Sequence, residues 1–170
     1  MIARRTALVL GLGIASAWPG RPVPAAVPAP PARPALRVTG LIGGEADAGE
    51  RAFSMDELEA LGSASFVTST PWTKGSQRFT GVPLKRLLDA VECRGTMLHA
   101  FAINDYRGEI PVSDAESHGP LLATRLDGRP MRVRDFGPIW LVYPWSERPD
   151  LDRPSVHRRS VWQLVRIEVR

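Results

Sequence analysis

Trp72, Lys74 and Arg78 fall close together and are of the types needed to hold an anion. Lysine and arginine supply charge-assisted donors, and an indole supplies a flat apolar wall. The three flank Gly81-Val82-Pro83, which reads as a Gly-hinged turn into a helix. Proline near the first helical position has its φ already set and lacks an N–H that would go unpaired. Leu84, Leu87, Leu88 and Val91 then recur at helical spacing and give one apolar stripe. The simpler reading is that Gly81 and Pro83 only shape a βα connection, because both residues punctuate turns. Asp105 and Tyr106 fall at an expected turn, where their polar groups are further candidates to face a pocket. Tyr143, near an expected loop, is a candidate to line a cleft. Together these six residues form the candidate ligand site.

Other chemistry is sparse. Cys93 is the single cysteine, so an intrachain disulfide cannot form. Its first reading is a small buried residue after a helix; a reactive or metal-bound thiolate is the alternative. His99, His118 and His157 lack metal-ligand spacing and read as structural or surface histidines. The chain has no Gly-x-Ser-x-Gly, P-loop or Cys-x-x-Cys motif.

The 170 residues allow one domain of ordinary size, and 44% apolar content can build a core. The net charge of +4 is misleading. Without Arg4, Arg5 and Arg21 in the first 26 residues, the 22 basic residues fall to 19 against 18 acidic ones. A near-neutral domain argues against nucleic acid as the partner. The charge is uneven, however. Residues 125–170 hold ten arginines and six acids, which reads either as solvated loops or as an anion pocket.

Residues 1–26 read as a signal peptide: Met1 to Arg5 is a positive n-region, and Thr6 to Trp18 an apolar h-region too short to span a bilayer comfortably. Pro24-Ala25-Ala26 supplies an end to it. Arg4-Arg5 faintly resembles a twin-arginine signal, although general secretion is the favoured route. Residues 27–35 form a Pro/Ala-rich linker that cannot pack a core. These features imply a periplasmic or secreted protein with no transmembrane segment in its mature chain.

Residues 36–170 must position the site. Leu36 to Ile42 alternates as a strand, and Gly43 to Arg51 reads as a polar turn. Ser54 and Glu57 form a capping box, with Phe53 and Leu58 as its staple and Gly62 closing the helix. Strands are expected over 64–69, 98–104, 121–126, 139–145 and 161–169. A second helix is expected over 83–92, and a short helical turn at 113–116. Hairpin turns fall at Asp105–Gly108 and Asp127-Gly128, with Glu109–Val112 and Met131–Val133 as the returning strands. Residues 139–145 are expected to form a central strand with Trp140 in the core. The fold class is α+β with a mostly β core and two short helices.

Four segments occur in a recognisable order. They are Gly81-Val82-Pro83-Leu84 with Leu87-Leu88; Asn104-Asp105-Tyr106 leading to Ile110-Pro111; Leu122-Ala123 with Asp127-Gly128-Arg129-Pro130-Met131; and Val161-Trp162 with Leu164, Ile167 and Val169. Their order resembles the sulfite-oxidase-type molybdopterin-binding domain, from about Leu36 to Arg170. The resemblance implies that fold, a basic pocket for a pterin phosphate, and a molybdenum-bound cysteine about a dozen residues before Gly81. That region here reads Thr68-Ser69-Thr70, and Cys93 falls beyond the turn. Hydroxyls are poor substitutes for a soft thiolate. The expectation is therefore a cofactor-free module that binds a small polar or anionic ligand or a periplasmic partner protein. A periplasmic molybdopterin-dependent oxidoreductase is the alternative, so whether the chain is an enzyme stays open.

Overall fold

The computed structural model describes residues 34–43 and 49–170. The chain divides into two units, Met1–Pro30 and Pro31–Arg170, and every described residue belongs to the second. The signal peptide and nearly all of the linker lie outside the described residues.

Two five-stranded sheets carry the fold. In the first, β1 (Leu36–Gly40) and β10 (Leu164–Val169) pair in parallel, so the two ends of the domain meet side by side. β2 (Gly49–Phe53) flanks β1, while β5 (Met97–Ala102) and β6 (Arg107–Pro111) continue on the far side, giving the order β2-β1-β10-β5-β6. The second sheet runs β3 (Ala64–Ser69), β4 (Ser76–Pro83), β7 (Leu121–Leu126) and β8 (Arg129–Pro130), with β9 (Trp140–Val142) also pairing with β7. Four short helices complete it: α1 (Met55–Ala60), α2 (Leu84–Ala90), α3 (Asp114–Ser117) and α4 (Pro154–His157). The mixed, sheet-rich α+β class matches the expectation; α4 comes in addition to the two expected helices and the helical turn at 113–116. One hydrophobic cluster draws on both sheets and both longer helices, including Leu36, Phe53, Phe79, Leu87, Trp140 and Ile167.

Local rules account for several elements. Ser54 Oγ accepts from the Glu57 N–H at 3.3 Å, and Glu57 Oε2 accepts from the Ser54 N–H at 2.7 Å. This is the expected capping box, and Phe53 and Leu58 are both buried behind it. Asp127 and Gly128 have φ of +48° and +78°, as a two-residue hairpin of the primed type requires.

Four expectations need correction. Residues 49–53 form β2 rather than a turn, because each pairs with a β1 residue, from Gly49 with Gly40 to Phe53 with Leu36. Residues 131–133 do not extend the β8 strand; Val133–Asp135 coils into a 3-10 turn. The strand at 139–145 shrinks to β9, which lies at the margin of its ladder rather than its centre. Its side chains are nonetheless fully buried, which is why it reads as a central strand. Most importantly, Gly81-Val82-Pro83 is not a hinge. All three residues lie in β4, Gly81 pairs with Ala64 and Ala123, and the ladder to β7 shifts register between Thr80 and Gly81. Gly81 is required because a Cβ there would collide with the Leu122 carbonyl. We expect Gly81→Ala to lower unfolding free energy by about 1–3 kcal/mol, the cost of overpacking a tight site, measured as a fall in the urea midpoint.

Candidate functional site

The loop between β3 and β4 is held by its own hydroxyls and by one indole. Thr70 Oγ1 accepts from the N–H groups of Trp72 and Thr73, at 3.2 and 3.1 Å. The Trp72 ring stands edge-on to Trp162 at 5.1 Å, to Trp140 and Trp145 at 6.0 Å, and to His157 at 6.1 Å. Each such contact favours one tilted geometry, so the loop has little freedom. Lys74 follows at the rim.

The facing wall comes from β8 and the 3-10 turn after it. Asp135 and Gly137 both donate backbone N–H groups to the Arg132 carbonyl, at 2.8 and 2.9 Å. Arg132 Nε donates to Asp135 Oδ2 at 2.5 Å. Phe136 takes a φ of +69° and lies 4.7 Å from the Trp140 ring. Between the two walls lies an open cleft of about 650 Å³ that includes Trp72, Lys74, Gln77, Arg129, Arg132, Arg134 and Phe136. Its only carboxylate is Asp135, already paired with Arg132. Among the described residues, Lys74, Arg129 and Arg134 form no ion pair. The side-chain oxygen of Gln77, on β4 beside the Trp72 loop, is buried without a hydrogen-bond partner. An anion would satisfy the unpaired cations.

The structure brings only part of the candidate set together. Trp72 and Lys74 line the cleft. Arg78 does not: it is exposed, while its neighbours Gln77 and Phe79 face the cleft and the core. Alternation along β4 turns it away. Asp105, with φ of +63°, turns the β5–β6 hairpin. Tyr106 lies nearly parallel to Trp162 at 6.3 Å, and its hydroxyl donates to the Arg158 carbonyl at 2.9 Å. Neither is among the residues that line the cleft. Tyr143 lines no open surface; it is fully buried and donates to Asp114 Oδ2 at 2.8 Å. Gln77, Arg129, Arg132, Arg134 and Phe136 were missed individually. The one sequence signal for the three arginines is the arginine excess after residue 125; Gln77 and Phe136 carry none.

The stretch where the resemblance puts a metal-bound thiolate is used for fastening. Thr68 is fully buried, and its hydroxyl accepts from the Ser146 N–H at 2.9 Å. Ser146 Oγ in turn accepts from the Ser69 N–H at 3.0 Å. This reciprocal clasp joins the end of β3 to the loop after β9. Cys93 lies past α2 and lines a separate hollow with Lys85, Asp89 and Glu116. Burial pushes its thiol pKa up, away from the thiolate. His157 Nε2 lies 2.8 Å from Asp152 Oδ1, whereas His118 Nδ1 meets Ser117 Oγ at 2.6 Å. Among the described residues, no three His, Cys, Asp or Glu side chains converge to hold a metal ion.

A model of the oxidoreductase molybdopterin binding domain family matches residues 26–147. None of the curated proteins compared with the chain matches it. The family match covers β1 through β9 and stops before β10, the central strand of the first sheet.

Beneath the site, Asp114 is 3% exposed and also accepts from Arg159 Nη1 at 2.7 Å. Burial, then the neighbouring Asp114 charge, raises the Tyr143 pKa far above its ordinary value. The folded state therefore holds that proton when the unfolded state releases it, so the stabilising contribution fades as pH rises above about 10. We expect Tyr143→Phe to cost about 1 kcal/mol at neutral pH and to flatten the alkaline loss of stability, followed by urea unfolding between neutral and strongly alkaline pH.

Proposed function

The chain belongs to the oxidoreductase molybdopterin binding domain family, and from that premise we propose that it is an exported, cofactor-free module that holds a small anionic ligand in the cleft beside Trp72. The proposal includes a sulfite-oxidase-like arrangement of its strands and a periplasmic or secreted location. The observation that carries the ligand assignment is the cleft's charge: Lys74, Arg129, Arg132 and Arg134 face one carboxylate, Asp135. Cations left without internal partners favour an external one. Trp72 and Phe136 add flat walls. A small organic anion with a planar ring matches both features.

The residues present do not fit a molybdenum centre. A metal that transfers oxygen needs a soft thiolate beside an open position. Thr68 and Ser69 offer hard hydroxyls, and Thr68 is already committed to Ser146. Cys93 is in a different hollow and is held as a thiol. A second reading, a molybdopterin-dependent oxidoreductase, is favoured by family membership alone.

Two measurements test these readings. In titration calorimetry with pyrophosphate and guanosine monophosphate, we expect Arg134→Ala to weaken binding by about 1.5–3 kcal/mol, the loss of one charge-assisted hydrogen bond. Arg78→Ala, on the other face of β4, should leave it unchanged. Equal loss in both variants, or no binding by the wild type, would remove the cleft assignment. Metal analysis of protein from a host that makes molybdopterin should find far less than one molybdenum per chain. Stoichiometric molybdenum that disappears in Cys93→Ser would establish the oxidoreductase reading instead.

A further inference from the structure

Five large hydrophobic side chains are exposed among the described residues, and three of them gather at one end of the domain: Ile103, Tyr106 and Val133, at 51%, 40% and 51% exposure. Ile103 and Tyr106 share the β5–β6 turn and Val133 comes from the segment after β8, yet all are tied to Trp162 and Gln163. Tyr106 stacks on the Trp162 ring. The Ile103 N–H donates to the Gln163 carbonyl at 3.0 Å, and Gln163 Nε2 donates to the Val133 carbonyl at 2.7 Å. The result is a small group of apolar tips on a hydrogen-bonded base, with two amphipathic rings beside it.

The surrounding charge is mainly positive. Val133 lies between Arg132 and Arg134 in sequence, and Arg158 is joined to Tyr106 through its carbonyl. Lys74 and Arg129 extend the cationic surface along the adjoining cleft. The acids at this end are Asp105, beside Tyr106, and Asp135, which is paired with Arg132. Isolated exposed apolar residues are ordinary, but a group rimmed by cations points to a partner with an apolar interior and an anionic surface.

We propose that this end of the domain docks on an anionic phospholipid surface, with Val133, Ile103 and Tyr106 entering the headgroup region and Arg134, Arg158 and the cleft cations meeting lipid phosphates. A bilayer suits the geometry better than a protein partner. Separate tips can enter a soft interface one by one, whereas a stable protein interface needs roughly 800 Å² of complementary surface on each side. Tyrosine and tryptophan rings also favour the headgroup level. This inference goes beyond the cleft reading and does not require it.

The test uses the full chain in a Cys93→Ser background, with an environment-sensitive fluorophore on Val133→Cys, Ile103→Cys or, as a control on β3, Val67→Cys. Vesicles of phosphatidylcholine with phosphatidylglycerol are compared with phosphatidylcholine alone and with poly-glutamate. We expect emission from positions 133 and 103 to shift to the blue with the anionic vesicles only, while position 67 stays in water. Adding Arg134→Glu should raise the lipid concentration needed by about tenfold, from the lost attraction and the new repulsion. Labels at 133 and 103 that stay in water, an equal shift at 67, or an equal shift with neutral vesicles would overturn the proposal. A shift with poly-glutamate and none with lipid would assign the surface to an acidic polypeptide and also overturn it. A lipid result of either sign leaves calorimetry with the soluble anions unaffected, so the two readings fail separately.

Discussion

Trp72 is the fastening on which this end of the molecule depends. It sits in the loop between β3 and β4 of the second sheet, yet packs against Trp162, which leads into the central strand of the first. The same ring meets Trp140 of β9 and Trp145 and His157 on the segments beyond it. Aromatic pairs of this kind add about 0.5–1.5 kcal/mol each beyond the area they bury. Several of them converging on one side chain fix the loop's position. The cleft follows from that: with Trp72 anchored, Lys74 and Gln77 are held opposite the arginines of the β8 segment and cannot collapse onto them.

The domain handles its charges in two ways. In the interior, Asp114 is surrounded by donors from Tyr143 and Arg159, as a buried carboxylate must be. At the cleft, Lys74, Arg129 and Arg134 remain open to solvent and form no ion pair among the described residues. Near-neutrality of residues 27–170 as a whole conceals this separation. A local cationic surface can attract an anionic ligand or lipid while the overall charge gives no sign of it.

The hydroxyl clasp between Thr68, Ser69 and Ser146 has a bearing on the family's chemistry. A metal-bound side chain must keep its donor atom free, whereas here the Thr68 and Ser146 hydroxyls join β3 to the loop after β9. The same segment thereby takes a structural role. The cationic cleft lies on other residues: Lys74, Arg129, Arg132 and Arg134.

The sequence by itself determined what depends on neighbours along the chain. The Ser54–Glu57 capping box and the Asp127-Gly128 turn were legible because each rests on contacts within a few residues. The likeness to the family was legible because it lies in the order of short segments. Trp72 and Lys74 stood out from their type and their loop, and both line the cleft. Only the tertiary structure decided the rest. β2 is a strand because β1 lies beside it, although Glu50 and Arg51 make it read as a turn. Gly81 is a glycine because the Leu122 carbonyl approaches it from a distant strand, not because the chain bends there. Tyr143 can be buried because Asp114, 29 residues away, accepts a hydrogen bond from its hydroxyl. The cleft arginines come from a hairpin 50 residues and more beyond Trp72, and local pattern carries no information about which distant segment will face which. That is set by how the two sheets pack, and the alternation of β4, which turns Gln77 inward and Arg78 outward, decides which of two adjacent polar residues faces the cleft.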